Sequence, residues 1–373
     1  MISSIFVLFV AVYIMGKCSS SFDLAANYLT RNLGEGIKGP TVNAIASSLP
    51  ELLISSMFLF YFKDINGFSA GYATIVGSSA FNIALIPVIA FLFVYFKQGK
   101  DKVFEINKSI VKQDTFFLLG AILILSLGFV IGVTYYLALL LVGFYCIYMI
   151  YVIKTRSSNK KDESFFSNLI EEDKLEEIEG VYVEKGSLLS SLVNIKLFRL
   201  LFRGRVNTFT SYTVIILSIF IIGASCYFLV LATENISHIL GINLFFGAFI
   251  IAAIASSIPD TILSVQDAKN DKFVDSFSNA YGSNVFDICI GIGLPVLIYS
   301  LIYGPISMNM PIDRMGWIGD EILSGNLFMW SLLMLFVFTS LISLIYYRGN
   351  IKLNKALLIL SLYLLFVIGL IIY

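Results

Sequence analysis

Two short stretches of this chain carry nearly the same oxygen-rich text. Ala44-Ile45-Ala46-Ser47-Ser48-Leu49-Pro50-Glu51 returns as Ala253-Ile254-Ala255-Ser256-Ser257-Ile258-Pro259-Asp260, with six of the eight positions identical. Downstream of each, Gly77-Ser78-Ser79-Ala80-Phe81-Asn82-Ile83 returns as Gly282-Ser283-Asn284-Val285-Phe286-Asp287-Ile288. The chemistry open to such residues is the binding of a hard cation. Pro50 and Pro259 have no N–H, so the carbonyls of Ala46 and Ala255 lose their usual helical donor. Ser48, Glu51 and Ser55 fall at i, i+3 and i+7 on one helix face, and Ser257, Asp260 and Ser264 repeat that face. Asn82 matches Asp287, and Ser78 matches Ser283. Carbonyl, hydroxyl and carboxylate oxygens are what calcium and sodium prefer. Gly77 and Gly282 permit close helix approach.

The elements that must position these groups are membrane helices. The composition is 58% hydrophobic and 13% charged, against roughly 25% charged residues in soluble domains. Residues 115–153, 208–232, 324–347 and 356–373 hold no Lys, Arg, Asp or Glu, and a span needs about 20 apolar residues. A soluble helical protein does not account for several such windows. The pattern predicts ten spans, near 1–17, 39–62, 69–96, 114–132, 134–154, 207–232, 243–266, 273–301, 324–347 and 353–373, with helices 2, 3, 7 and 8 broken. The repeat copies fall in helices 2–3 and 7–8. Five spans separate them, an odd number, so the second copy enters the membrane from the opposite side. Inverted repeats place a substrate site at the midplane and permit alternating access. Glu51, Asp260 and Asp287 are then three acids in apolar segments with no Lys or Arg in the same spans, and an intramembrane acid is a functional residue by default. A protonated acid packed within the bundle explains one such residue more readily than three at repeated positions. Asp287, matched by Asn82, is the most open to that reading.

The predicted organisation is a first transmembrane half over 1–154, with its repeat near 39–96, a linker over 155–206, and a second half over 207–373, with its repeat near 243–301. The linker carries an acidic run from Glu171 to Glu179, read as a solvated connection. Its tail, Ser187 to Arg205, mixes Leu and Phe with Lys196, Arg199, Arg203 and Arg205 and predicts an interfacial helix on the headgroups. With ten spans, every Lys and Arg except Lys63 and Arg314 falls on one side. The positive-inside rule makes that side cytoplasmic, which puts the linker inside and both termini outside. Net charge is zero, so nothing points to a nucleic-acid partner. The four cysteines show neither metal nor disulfide spacing. One histidine, His238, expected at a loop, argues against a histidine-based zinc or haem site. The apolar N-terminus reads as a first span. Gln266, Asp267 and Asp271 read as solvated at a helix end. Asn27 and Asn279 either line a pathway or pack as interhelical amides.

At the repeated motifs the sequence resembles the calcium/cation antiporter superfamily, in its sodium/calcium exchanger branch. That family's repeats carry Gly-Thr-Ser-x-Pro-Glu/Asp followed by Gly-Ser-Asn-x-Phe-Asn/Asp. The resemblance implies an all-α membrane protein of five plus five inverted helices, with helices 1 and 6 sliding past a core of four helices per half. It implies Glu51 and Asp260 as central calcium ligands, completed for calcium and sodium by carbonyls near Ala44 and Ala253 and by Ser47, Ser48, Ser78, Ser256, Ser257, Ser283, Asn82 and Asp287. It implies a secondary transporter and not an enzyme, with Ca²⁺ and Na⁺ as cargo, the lipid bilayer as surroundings and no cofactor. Departures are Ala46 and Ala255 for glycines, Ser47 and Ser256 for threonines, and Ser79 for an asparagine. An acid at 287 with an Asp at 260 resembles the potassium-dependent exchangers and also occurs in potassium-independent microbial relatives. A proton-coupled calcium exchanger is the nearest alternative, but its first motif reads Gly-Asn-x-x-Glu where this chain has Ser48-Leu49-Pro50-Glu51. An intramembrane aspartyl protease lacks support, because Tyr-Asp and Gly-x-Gly-Asp signatures are absent. A passive channel is disfavoured, because broken helices build a compact site.

Overall fold

A computed structural model describes residues 1–30, 44–97, 104, 106–156, 181–182, 188–306 and 325–372. The acidic run of the linker, Arg31, Lys38 and Arg314 lie outside the described residues. The first half comprises α1 (Ile2–Leu29), α2 (Ala44–Ser47), α3 (Leu49–Phe62), α4 (Ile65–Lys97), α5 (Lys108–Ile131) and α6 (Tyr135–Arg156). Strand β1 (Val181–Tyr182), α7 (Leu188–Val193), α8 (Leu197–Phe202) and β2 (Arg205–Val206) follow. The second half comprises α9 (Thr208–Leu240), α10 (Leu244–Gly247), a π-helical stretch Ala248–Ala252, α11 (Ala253–Ser256), α12 (Ile258–Lys269), α13 (Phe273–Phe286), a π stretch Asp287–Ile292, α14 (Gly293–Tyr303), α15 (Gly325–Tyr347) and α16 (Leu353–Ile372).

Among the described residues nine helical segments are long and apolar enough to cross a membrane, and Leu49–Phe62 is a shorter apolar helix. The chain is a multi-pass integral membrane protein. Large apolar side chains such as Phe6, Phe9, Leu140, Phe220 and Leu365 point outward, as lipid-facing surfaces require.

Local chemistry sets the helix ends. Asn207 caps α9, accepting from Thr210 N at 2.9 Å while Thr210 Oγ1 accepts from Asn207 N at 2.8 Å. This reciprocal box satisfies two donors that the helix leaves unpaired. Gly241 closes α9 in the left-handed conformation, φ 64°, which a residue without Cβ adopts freely. Asn107 caps α5 through Ser109 N at 3.0 Å.

Packing is reciprocal between the halves. α1 and α9 lie along one another; α9 also packs on α3, and α1 on α12. α3 packs on the Asp287–Ile292 stretch, and α12 packs on α4. This exchange of equivalent partners is the packing of an inverted repeat. Helix α4 is the hub, touching α3, α11, α12, α13 and α16.

Four expectations change. The third span is one continuous helix, Ile65–Lys97, because its motif has no proline to remove a backbone bond; Pro87 lies further on and does not interrupt it. The eighth span is not cut but passes through a π stretch at Asp287–Ile292, a local widening that often marks functional positions. The linker tail forms two short helices, α7 and α8, not one. It is strapped to α1: Tyr13 Oη donates to Val193 O (2.8 Å), Lys17 Nζ to Asn194 Oδ1 (2.9 Å) and Ser21 Oγ to Ile195 O (3.1 Å). His238, expected at a loop, lies in the last turn of α9.

Candidate cation site

The two proline motifs bend their helices alike. Ser48 separates α2 from α3 at φ −86°, ψ 5°, and Ser257 separates α11 from α12 at φ −78°, ψ −1°. Each proline sits in the first turn after the bend, where its missing N–H does no harm. Glu51 and Asp260 therefore fall in the first turn of α3 and α12, at the positive end of the helix dipole, which favours a negative group.

The fold brings the predicted groups together in the interior. Ser47, Ser48, Glu51, Ser78, Asn82, Ser256, Ser257, Asp260, Ser283 and Asp287 are all 0% exposed. The Asn82 amide is the hinge of the cluster: its Nδ2 lies 3.2 Å from Asp260 Oδ2, 3.4 Å from Ser283 Oγ and 3.4 Å from Asp287 Oδ2. Glu51 has both Asp287 and Asp260 as electrostatic neighbours. The hydroxyls cross between halves in a two-fold manner, with Ser256 beside Glu51 and Ser47 beside Asp260, while Ser48 lies beside Asp287.

Many oxygens here have no hydrogen-bond donor. Ser48 Oγ, both Glu51 carboxylate oxygens, Asn82 Oδ1, Ser257 Oγ, Asp260 Oδ1 and Asp287 Oδ1 are buried without a hydrogen-bond partner. Buried polar atoms are normally paired, and orphans ask for an explanation. Seven of them from four helices form an acceptor-rich, donor-poor core. Among the described residues no three acids, cysteines or histidines stand close enough to hold one metal ion by themselves, so an ion here must also use neutral oxygens.

Other predicted ligands are engaged locally. Ser78, Ser256 and Ser283 each donate to the carbonyl three residues back, Ile75, Ala253 and Ala280, at 3.1 Å, and Ser283 Oγ also accepts from Asn82 Nδ2. The Ala253 carbonyl accepts from Ser256 Oγ and from Ser257 N at 3.2 Å, so ligating an ion would cost it one of these bonds. Ala44 opens α2. Ser55, on the predicted ligand face, instead donates to Gly291 O at 2.6 Å and clamps α3 to the second π stretch. Ser55→Ala should lower thermal stability by about 0.6 kcal/mol, a typical intramembrane hydrogen bond. It should leave Ca²⁺ affinity unchanged in a titration; a large affinity loss would return Ser55 to the ligand set.

Asn279 is an interhelical amide at the edge of the cluster, accepting from Ser47 Oγ and donating to Ser264 Oγ, both at 3.4 Å. Its equivalent, Thr74, donates to Ala70 O, so the halves differ here. Sequence reasoning missed Asp114, fully buried in α5 with Tyr148 Oη donating at 3.2 Å. It sits one residue outside a charge-free window and passed for a boundary. Asn284 and Ser79 were also missed as buried polar groups of the second motifs; each has an oxygen without a partner.

Comparison with known proteins agrees with this architecture. The family described as sodium/calcium exchanger protein matches residues 3–154 and 210–372. The human protein sodium/potassium/calcium exchanger 1 is 35% identical over 96 residues, 25% of this chain and 9% of that protein. The Drosophila melanogaster sodium/potassium/calcium exchanger Nckx30C is 41% identical over 58 residues, 15% of this chain and 7% of that one. The matched stretches thus span under a tenth of these relatives. Among solved structures, an H⁺/Ca²⁺ exchanger, CAX, superposes with a TM-score of 0.65 at 17% identity, covering 98% of this chain and 81% of that one. The sodium-calcium exchanger NCX_Mj superposes with a TM-score of 0.55 at 18% identity, covering 98% and 97%. At these identities the likenesses show the fold, that of an inverted-repeat exchanger. By the extent of the family match, the chain belongs to the sodium/calcium exchanger protein family.

Proposed function

We propose that this protein exchanges Na⁺ for Ca²⁺ across a membrane by alternating access at the Glu51–Asn82–Asp260–Asp287 cluster. The observation that carries the reading is the set of seven buried oxygens without donors. Calcium takes six to eight oxygen ligands, and carboxylate, hydroxyl and amide oxygens supply that chemistry. Glu51 and Asp260 neutralise one Ca²⁺. With Asp287 ionised as well, the charge balances three Na⁺, or one Ca²⁺ with one K⁺. Rotation of the Asn82 amide would turn its oxygen toward the ion and its Nδ2 away. Na⁺ and Ca²⁺ then compete for one set of oxygens, which couples their movements. Ser47, Ser48, Ser78, Ser256, Ser257 and Ser283 complete the sites, with the carbonyls near Ala44 and Ala253 after local rearrangement. Access would alternate by movement of α1 and α9 against the core, with the 155–206 linker and the Lys- and Arg-rich loops on the cytoplasmic side.

The coupling ion is tested in proteoliposomes. An imposed Na⁺ gradient should drive ⁴⁵Ca²⁺ uptake, and a pH step alone should not. Uptake driven by the pH step would overturn sodium coupling in favour of proton exchange. A requirement for K⁺ that disappears in Asp287→Asn would assign the third charge to K⁺, in keeping with the relatives named for potassium.

A further inference from the structure

Away from the central cluster, a pocket of about 230 Å³ opens where α3 and α4 meet α9 and α10. Its walls include Asn66 and Ser69 on the core side and Glu234 and His238 on α9. Glu234 and His238 are four residues apart on one helix, so their side chains share a face, and they are electrostatic neighbours. His238 is exposed and Glu234 half-buried. Opposite them, Ser69 is 1% exposed, and its hydroxyl has no hydrogen-bond partner. Asn66 spends its amide nitrogen on Asp64 Oδ2 at 3.1 Å, leaving its oxygen as an acceptor. Asn243, also in the wall, uses its oxygen to cap Phe245 N at 2.8 Å. No third His, Cys, Asp or Glu joins the pair among the described residues, so the further ligands these residues offer are neutral oxygens.

We infer that this pocket binds a first-row transition dication such as Zn²⁺, held by His238 and Glu234 on α9 and by Ser69 and Asn66 on α4. The imidazole sets the metal class: nitrogen with one carboxylate suits zinc, nickel and copper, whereas calcium takes oxygen alone. A metal spanning both walls ties α9 to the core. On the exchange reading above, on which this consequence rests, α9 must move against that core, so the bound metal acts as a brake on transport.

The binding step is tested without transport. The chain has one histidine, so with purified protein bearing no polyhistidine tag, any imidazole coordination reports His238. Substoichiometric Cu²⁺, the strongest binder of the divalent series, should show the imidazole nitrogen in pulsed electron paramagnetic resonance. The signal should vanish in His238→Ala. Zn²⁺ affinity by calorimetry should fall about tenfold or more in His238→Ala and Glu234→Gln and measurably in Ser69→Ala. In proteoliposomes, Zn²⁺ should slow ⁴⁵Ca²⁺ flux in the native protein and act only at about tenfold higher concentration in His238→Ala, whose flux without Zn²⁺ is unchanged. Absence of the imidazole signal overturns the site, whatever the coupling ion proves to be. A signal with full Zn²⁺ affinity in Ser69→Ala and Asn66→Ala would reduce it to a surface pair and remove the brake. Metal binding with unaltered flux would likewise remove the brake while leaving the exchange reading intact.

Discussion

Glu51→Gln should eliminate sodium-driven ⁴⁵Ca²⁺ uptake and leave a folded protein. The Glu51 carboxylate is wholly buried, neither oxygen has a donor, and Asp287 and Asp260 are its neighbours. At an effective dielectric near 20, one charge pair at 4 Å is worth about 4 kcal/mol, and a divalent ion feels more. Losing the charge should therefore weaken Ca²⁺ binding by about a thousandfold or more. The fold should not suffer, because a charge at the centre of a membrane helix itself costs about 3 kcal/mol, and glutamine keeps the shape. The discriminating measurement is thermal stability in detergent with and without Ca²⁺. Native protein at a hundred times its dissociation constant should gain about 2.7 kcal/mol; the variant should gain nothing and melt no lower without the ion. Asp260→Asn should behave likewise. Native Ca²⁺ stabilisation in either variant would remove that residue from the site.

Gly77→Val should prevent the two halves from assembling. A Cβ built at Gly77 would overlap the Phe249 carbonyl oxygen and stand 2.7 Å from Ala253 Cβ. Both partners belong to the π stretch and α11 that follow α10, so the clash falls where α4 of the first half meets the second. The Phe249 carbonyl is backbone and cannot swing aside. Even Gly77→Ala should cost about 3 kcal/mol, the upper end for overpacking, and valine more. Gly143→Ala is the matched control, since nothing lies within 4 Å of a Cβ there. Size-exclusion profiles and melting temperatures separate the outcomes. A monodisperse Gly77→Val with native melting would show that the halves do not meet as described.

These two residues mark how much of the site could be read in the linear text. Glu51 was legible because it stands in a copied motif with a proline before it and no basic residue in its span. Gly77 was legible only as permission for close approach; its partner, the Phe249 carbonyl, belongs to no motif. The bends at Ser48 and Ser257 follow from proline chemistry, which is local. The continuity of α4 could not be foreseen from its likeness to the broken helices, because motif similarity does not carry a missing donor where no proline stands. Asp114 escaped notice because burial of one acid at a helix end depends on Tyr148, 34 residues away in the chain.

What the amino-acid order decided by itself is the membrane character, the duplicated motif, its opposed orientation and the identity of the acids, since hydropathy, proline and charge act within a few residues. What only the tertiary structure decided is who meets whom. It assigned the Asn82 amide to Asp260 and Asp287, Ser55 to a clamp on Gly291, and Glu234 with His238 to a wall facing Ser69. Such pairings arise from packing between helices distant in sequence, and no local pattern of residues carries that information.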